Sequence, residues 1–203
     1  FGRLGIGRES QVVAYDQGNG MFAARLWWML RWLGHDAVAV LDGGFAKWMR
    51  EGRATTTQAP EPRATTFAVR HVTPTVSATG IMASLTKHAL LLLDARAPER
   101  FRGDVEPLDP VAGHIPGARN RPFAQNLHAD GTFKSPASLR TDFDAVLADT
   151  PHALVVHQCG SGVTACHNIL AMEIAGLPGT RLYPGSWSEW CSDPARPVAR
   201  GDL

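Results

Sequence analysis

Short apolar stretches alternate with longer amphipathic ones along most of the chain, and glycines separate them. The first series predicts a strand at 11–15, a helix that ends near 33 before Gly34, a strand at 37–41 and a short helix at 43–48. The second series predicts helices at 76–85, 135–147, 165–175 and 185–190, with strands at 90–93, 154–156 and 181–183 between them. Alternation of strands with helices predicts an α/β fold with a mostly parallel sheet.

The two series repeat one another. Gly34 and Gly176, which end predicted helices, lie 142 residues apart, and the same offset relates residues 40–43 to 182–185. It also relates two pairs of aromatic residues, Phe45 to Trp187 and Trp48 to Trp190. The preceding strands match at an offset of 143, so that Asp16 stands where the second copy has Cys159. We therefore expect two copies of one domain, only the second of which carries a nucleophile.

The predicted organisation is two tandem domains joined by a linker. Residues 1–52 are expected to be the C-terminal part of a non-catalytic domain, and residues 76–203 the catalytic domain. Residues 53–75, rich in Thr, Ala, Pro and Arg, are the linker, with a short extended piece at 66–69. Because the long segment ahead of Cys159 has no counterpart ahead of Asp16, the first domain is expected to be incomplete and the chain a fragment of a longer protein.

Composition directs attention to a local site. Apolar residues make up 44% of the chain and the net charge is +1 without a basic block, so we expect a packed core and no nucleic-acid partner. No apolar run reaches the roughly 18 residues of a membrane span, so no membrane is expected as a partner. Three cysteines favour a reducing compartment, and we expect a cytoplasmic protein, with a targeting signal ahead of residue 1 left open.

No cofactor is predicted. The candidate ligands lack the paired spacing of a zinc site, so no metal is expected either; they are Cys159, Cys166, His167 and Cys191. Cys166 is expected in the core, while Cys191, which follows Trp190, is expected to be partly exposed, with a role as a redox partner for Cys159 left open.

The clearest chemistry lies in the Cys159 loop, Cys159 to Thr164, between a predicted strand and a predicted helix. Glycines allow successive backbone N–H groups to turn towards one anion, and a helix N-terminus adds partial positive charge. Both would stabilise a thiolate or a persulfide, and Ser161 and Thr164 add hydroxyl donors. A buried structural cysteine before a glycine turn is the plainer alternative, but the carboxyl end of a strand is where α/β sheets bind ligands.

At this loop the sequence resembles the rhodanese superfamily, and most closely its two-domain 3-mercaptopyruvate sulfurtransferases, whose hallmark is Cys-Gly-Ser-Gly-Val-Thr. Further matching motifs stand at 94–96 (Asp-Ala-Arg), 100–103 (Arg-Phe-Arg-Gly), 113–118 (Gly-His-Ile-Pro-Gly-Ala) with Asn120, and 185–190 (Gly-Ser-Trp-Ser-Glu-Trp). Residues 41–45 and Trp48 look like the closing motif of the family's inactive domain. The resemblance implies tandem rhodanese-like domains, each a mostly parallel sheet flanked by helices, and a sulfurtransferase activity.

The resemblance also implies roles for single residues. Cys159 would carry sulfur as a persulfide from a small-molecule donor to an acceptor such as cyanide or a thiol, with thioredoxin among the candidates. The loop that holds it would consist of Gly160, Ser161, Gly162, Val163 and Thr164. Arg100 matches an arginine that faces the substrate anion in the family, where a guanidinium can bond both oxygens of a carboxylate.

The aromatic and charged residues near these motifs are less specific. Trp187 is a candidate for substrate binding or for the core, and Trp190 is expected in the core. Asp94 with Arg96 is interpreted as an internal pair, and His114 as a residue that supports its loop.

Two departures from the family bear on the donor. Thiosulfate-using rhodaneses carry Arg-Lys where this chain has Gly160 and Ser161, which favours 3-mercaptopyruvate. The mercaptopyruvate enzymes place a second arginine shortly after the Glu-Pro that corresponds to residues 106–107, but this chain has Leu108 and Asp109 there. That difference weakens the preference.

Three alternatives are considered. A cysteine phosphatase needs Cys-x5-Arg, and this chain has Ala165 at the arginine position. A non-catalytic binding module usually lacks the cysteine. A thiosulfate-specific rhodanese would be distinguished by comparing thiocyanate production from each donor.

Overall fold

The computed structural model describes residues 1–87 and 89–202. Contacts divide the chain into two compact units, Phe1–Thr73 with Ala129–Thr132, and Pro74–His128 with Phe133–Leu203. Both are α/β structures, as the alternation of elements predicts. In the described ranges no helix has both the length and the apolar character needed to cross a membrane.

The first unit contains a parallel pair of strands. These are β1 (Val12–Ala14) and β2 (Val38–Val40), with α1 (Met21–Trp32) between them and α2 (Gly44–Arg50) after them. Residues 53–75 contain no helix or strand, and the short extended piece expected at 66–69 is not a strand of either sheet. This segment is bonded to the first unit, because Thr65 N–H donates to the Gly2 carbonyl at 2.9 Å and Thr73 N–H to the Trp32 carbonyl at 3.2 Å.

The second unit is built on a four-stranded parallel sheet. Its strands are β3 (Leu91–Asp94), β4 (Arg119–Asn120), β5 (Val155–Gln158) and β6 (Arg181–Leu182), in the order β4–β3–β5–β6. Its helices are α3 (Ala78–Leu85), α4 (Pro98–Arg102), α5 (Pro136–Leu147), α6 (Val163–Ile174) and α7 (Ser186–Cys191). Ser135 caps α5 by accepting from Ser138 N–H at 3.2 Å, and Pro136 takes its first position.

Helices cover both faces of this sheet. Leu92 and Val156 belong to one buried apolar cluster, which includes Trp187 of α7. Leu91 and Val155 belong to another, to which α5 and α6 contribute. Because successive residues of a strand face opposite sides, a strand buried on both faces is a continuous apolar run. β5 is internal, so the residue that follows it lies between the ends of two neighbouring strands.

The internal repeat is visible in the backbone. α1 and α6 each span 12 residues, and each follows a left-handed glycine, Gly20 with φ 78° and Gly162 with φ 76°. Gly44 and Ser186, again 142 residues apart, share φ values of 58° and 52° although only one of them is glycine.

Candidate active site

Cys159 directly follows β5 and is 2% exposed. The strand register places Gln158 opposite Asp94, the last residue of β3, and Ala95 N–H donates to the Gln158 carbonyl at 2.9 Å. The Cys159 loop therefore begins at the same sheet edge as the segment that starts at residue 94. In this loop Gly162 is buried and Ser161 exposed, while the other three residues after the cysteine are half-buried.

The start of α7 holds the backbone of Cys159 on both sides. Cys159 N–H donates to Ser186 Oγ at 3.1 Å, and this hydroxyl donates to the Tyr183 carbonyl at 3.0 Å. Trp187 N–H donates to the Cys159 carbonyl at 2.9 Å. The Gly160 carbonyl accepts both the N–H and the hydroxyl of Ser188, each at 2.9 Å. Sequence reasoning missed Ser186 and Ser188, although the motif at 185–190 contained them.

Gly162 has no room for a side chain. A Cβ at this position would lie 2.6 Å from the Pro184 carbonyl oxygen, and its φ of 76° disfavours other residues. The loop and the turn that precedes α7 therefore approach backbone to backbone.

Arg100 borders the loop. A Cβ on Gly160 would lie 3.5 Å from Nη1 and 3.7 Å from Nη2 of Arg100. Nη2 donates to Glu106 Oε1 at 2.5 Å and to Asp109 Oδ2 at 3.4 Å. Burial would raise the pKa of Glu106, but hydrogen bonds from Arg100 and from the N–H groups of Leu108 and Asp109 outweigh it, and its pKa lies below the usual range. The guanidinium is thus near the loop but already paired with two carboxylates.

Asp94 and Arg96 form the internal pair expected from the sequence. Arg96 Nη2 lies 2.7 Å from Asp94 Oδ2 and also donates to the Gly113 carbonyl at 2.7 Å. Its guanidinium carbon is 4.9 Å from the centroid of a Trp187 ring. Trp187 is fully buried, and its Nε1 donates to the Val111 carbonyl at 2.8 Å. The geometry gives Trp187 a supporting position beneath Arg96, and its contact with a substrate stays a prediction.

His114 is built into its loop. Its Nδ1 is 2.8 Å from the Phe101 carbonyl oxygen, and its ring stacks on Phe101 with centroids 3.8 Å apart. Burial lowers the pKa of His114, although the hydrogen bond to Phe101 acts in the opposite direction. The lowered pKa keeps the ring neutral near pH 7. This geometry supports a structural role.

The other cysteines lie outside the loop. Cys166 is buried in α6, as expected, with Sγ 3.2 Å from the Gly162 carbonyl oxygen. Cys191 is buried at the end of α7, so the expectation that it is partly exposed is wrong. Burial, followed by the charge of Asp109, raises the pKa of the Cys191 thiol. Within the described residues, no group of three or more His, Cys, Asp or Glu side chains could hold a metal ion.

The corresponding loop of the first unit, Asp16 to Gly20, contains a bound carboxylate. Asp16 Oδ1 accepts from the N–H groups of Gly18 (3.1 Å) and Gly20 (3.0 Å), and Oδ2 from those of Phe22 (3.0 Å) and Ala23 (3.2 Å). Burial would raise the pKa of Asp16, but these four bonds outweigh it and the pKa is lowered. A strand-to-helix loop of this shape therefore collects backbone donors around one anion.

Known proteins resemble the chain over nearly its whole length. The rhodanese-like domain profile matches residues 3–51 and 77–193. A probable 3-mercaptopyruvate sulfurtransferase of Pseudomonas aeruginosa is 52% identical over 200 residues, which cover 98% of this chain and 70% of that protein. The putative thiosulfate sulfurtransferase SseB of Mycobacterium tuberculosis is 42% identical over 212 residues, with the same coverage of 98% and 70%. The crystal structure of SseA from Escherichia coli, a 3-mercaptopyruvate sulfotransferase, matches with a TM-score of 0.77 at 32% identity and covers 92% of this chain and 70% of that one.

Proposed function

Since this chain belongs to the rhodanese-like domain family, we propose that it is a sulfurtransferase that moves a sulfane sulfur through a persulfide on Cys159. The donor is 3-mercaptopyruvate or thiosulfate, and the acceptor is cyanide or a thiol, with a thioredoxin-like protein thiol among the candidates. In this proposal residues 76–203 carry the reaction, residues 1–52 belong to a non-catalytic domain, and residues 53–75 join them.

The contrast between two equivalent loops carries this proposal. Four backbone N–H groups of the first unit bind the Asp16 carboxylate. From the end of the loop onwards, the 142-residue offset assigns the positions of Gly20, Phe22 and Ala23 to the N–H groups of Gly162, Thr164 and Ala165. An anion at Cys159 would meet these donors and the N-terminus of α6, and a thiolate or persulfide is the anion that a cysteine supplies.

The reaction has two half-reactions on one sulfur. The Cys159 thiolate attacks the outer sulfur of thiosulfate or the thiol sulfur of 3-mercaptopyruvate and forms the S–S bond of a persulfide. With thiosulfate, the donor's S–S bond breaks and sulfite leaves with its electron pair. With 3-mercaptopyruvate, the C–S bond breaks and the enolate of pyruvate leaves and takes up a proton. The acceptor then attacks the outer sulfur, which yields thiocyanate from cyanide or a persulfide from a thiol and restores the thiolate.

We assign donor binding to Arg100. Its Nη1 is the guanidinium nitrogen nearest to a side-chain position at Gly160, where the carboxylate of a donor on Cys159 would come within its reach. Gly160 and Ser161 bring no charge of their own, so the doubly charged thiosulfate would meet backbone dipoles and one paired guanidinium. We therefore expect 3-mercaptopyruvate to exceed thiosulfate in kcat/KM, with measurable turnover of both. The 42% identity to SseB is the observation that favours thiosulfate as the alternative donor.

The test is persulfide formation on the intact chain. After incubation with either donor and removal of excess reagent, the protein should gain the mass of one sulfur atom, and cyanide should remove it as thiocyanate. Cys159→Ser should gain no sulfur and show no turnover. Cys191→Ser, which also removes one buried cysteine, should gain sulfur as the unsubstituted protein does. Sulfur transfer that persists in Cys159→Ser would refute the proposal.

A further inference from the structure

Arg100 belongs to a row of five charged side chains between residues 94 and 109. Their exposed fractions are 0% for Asp94, 1% for Arg96, 3% for Glu106, 18% for Arg100 and 9% for Asp109. Ion pairs of 2.7, 3.4, 2.5 and 3.4 Å join them in that order. The row holds three carboxylates and two guanidinium groups, so an anion that approaches Arg100 meets a cation whose charge is already balanced.

The two carboxylates at Arg100 are held differently. Glu106 accepts from Arg96, from Nε and Nη2 of Arg100, and from the N–H groups of Leu108 and Asp109. In the part of the chain that the structure describes, the Asp109 carboxylate accepts one hydrogen bond, the 3.4 Å contact with Arg100 Nη2. Glu106 is therefore fixed in place, whereas Asp109 is the weakly held anion of the pair.

The remaining nitrogen of Arg100 is available to a donor. Nη1 makes no hydrogen bond to any residue in the described ranges, and it lies 3.5 Å from a Cβ position on Gly160. An anionic group bound at Nη1 would share the guanidinium with Asp109 on Nη2. The two negative charges would then lie on the two terminal nitrogens of one guanidinium. The Arg100 side chain is only 18% exposed, so their repulsion is screened less than it would be at the surface.

We propose that Asp109 is a specificity-determining residue, whose carboxylate weakens binding at Arg100 in proportion to the charge of the donor. This inference rests on the proposed function and concerns the choice of donor. Coulomb energy is proportional to the product of the charges, so the penalty for dianionic thiosulfate is about twice that for a monoanion. Removal of the Asp109 charge should therefore lower the KM for thiosulfate by a factor that is about the square of the factor for 3-mercaptopyruvate.

Asp109→Asn tests this, because it removes the charge and keeps the size of the side chain. We expect KM to fall about threefold for 3-mercaptopyruvate and about tenfold for thiosulfate, with little change in kcat. Asp109→Glu keeps the charge and should keep the donor ratio of the unsubstituted protein. Asp109→Ser is a second neutral variant that must reproduce the shifted ratio.

Asp104→Asn is the matched control. Asp104 lies on the same segment, its side chain is 54% exposed, and it pairs with Arg102 at 2.8 Å. This variant changes the net charge equally but should leave both KM values unchanged. Equal factors for the two donors, or factors as large in Asp104→Asn, would overturn the role of Asp109. If instead the unsubstituted protein gains no sulfur on Cys159 from either donor, the proposed function itself fails, by a measurement that does not involve Asp109.

Discussion

Ser186 adopts a backbone conformation that glycine would adopt more easily. Its φ is 52°, and its counterpart in the first unit is Gly44 with φ 58°. A left-handed conformation costs roughly 1–2 kcal/mol for a residue with a Cβ. The serine hydroxyl gives a physical reason for this cost, because it is the acceptor for the buried N–H of Cys159. At this position an unfavourable backbone conformation is retained together with a hydrogen bond to Cys159, the proposed sulfur carrier.

Replacement of Ser186 should separate these two effects. Ser186→Ala keeps the backbone strain and leaves the Cys159 N–H unpaired, so the free energy of unfolding should fall by about 1–3 kcal/mol. Ser186→Gly should lose less, because relief of strain exceeds the unfolded-state entropy cost of roughly 0.4–1 kcal/mol. Ser188→Ala, at an exposed hydroxyl, should change stability by about 0.5 kcal/mol or less. Denaturant unfolding measures all three, and a glycine variant less stable than the alanine variant would contradict the argument.

The sequence locates single residues well where the local chain determines their surroundings. The glycines and the strand-to-helix order place Cys159, and α5 begins at Pro136 behind the Ser135 cap as predicted. Contacts between side chains that are not neighbours in sequence are not predicted in this way. Nothing in the motifs indicates that Arg100 would share Nη2 with Asp109, because that contact depends on the path of the chain between them.

At the scale of elements, the long helices and the core strands follow from periodicity, and the short α2, β6 and α7 were also predicted, but two other short elements were not. α4 (Pro98–Arg102) and β4 (Arg119–Asn120) were not predicted, since five and two residues are too few to display a period. β5 extends to Gln158, two residues beyond the predicted strand. Polar side chains marked a strand end in the sequence, but helices on both faces of the sheet bury His157 and Gln158 completely.

The Asp16 loop gives a prediction about an element, the N-terminus of α1. Asp16→Asn leaves one acceptor oxygen for four N–H donors, so the first turn of the helix loses partners. We expect a loss of about 1–2 kcal/mol in the free energy of unfolding at pH 7, at the lower end because the carboxylate is only partly buried. Asp36→Asn, whose side chain is 64% exposed, is the control and should be nearly neutral.

The pH dependence of this difference follows from the lowered pKa of Asp16. The folded pKa is depressed, so the stabilisation is present above the unfolded pKa of roughly 3.9 and is lost as the pH falls through the folded pKa. The gap between Asp16→Asn and the unsubstituted protein should therefore narrow below about pH 4. A gap of constant size between pH 7 and pH 3 would show that the charge of Asp16 is not what stabilises the loop.

At the scale of the whole molecule, buried histidines set how stability responds to acid. Burial, together with the positive charge of Arg121, lowers the pKa of His157 from 6.5 to about 3. His114 is shifted in the same direction by its own burial. When the chain unfolds, both rings are free to bind a proton. At a pH between the folded and the unfolded pKa of a ring, the unfolded state therefore holds more protons than the folded state. Stability should accordingly decrease as the pH falls below the ordinary histidine range.

His157→Gln isolates the contribution of one ring. A single group that titrates only in the unfolded state lowers the free energy of unfolding by about 1.4 kcal/mol per pH unit. Between roughly pH 6 and pH 4, the free energy of unfolding of the variant should therefore change less steeply with pH, by the slope of about one proton. His114 continues to contribute to the remaining slope. His71→Gln, at an exposed histidine, is the matched control variant. Denaturant unfolding at several pH values measures the slopes, and identical slopes for His157→Gln and the unsubstituted protein would mean that His157 takes up its proton in the folded state. That result would require a polar partner for His157, whose two ring nitrogens have no hydrogen-bond partner in the described structure.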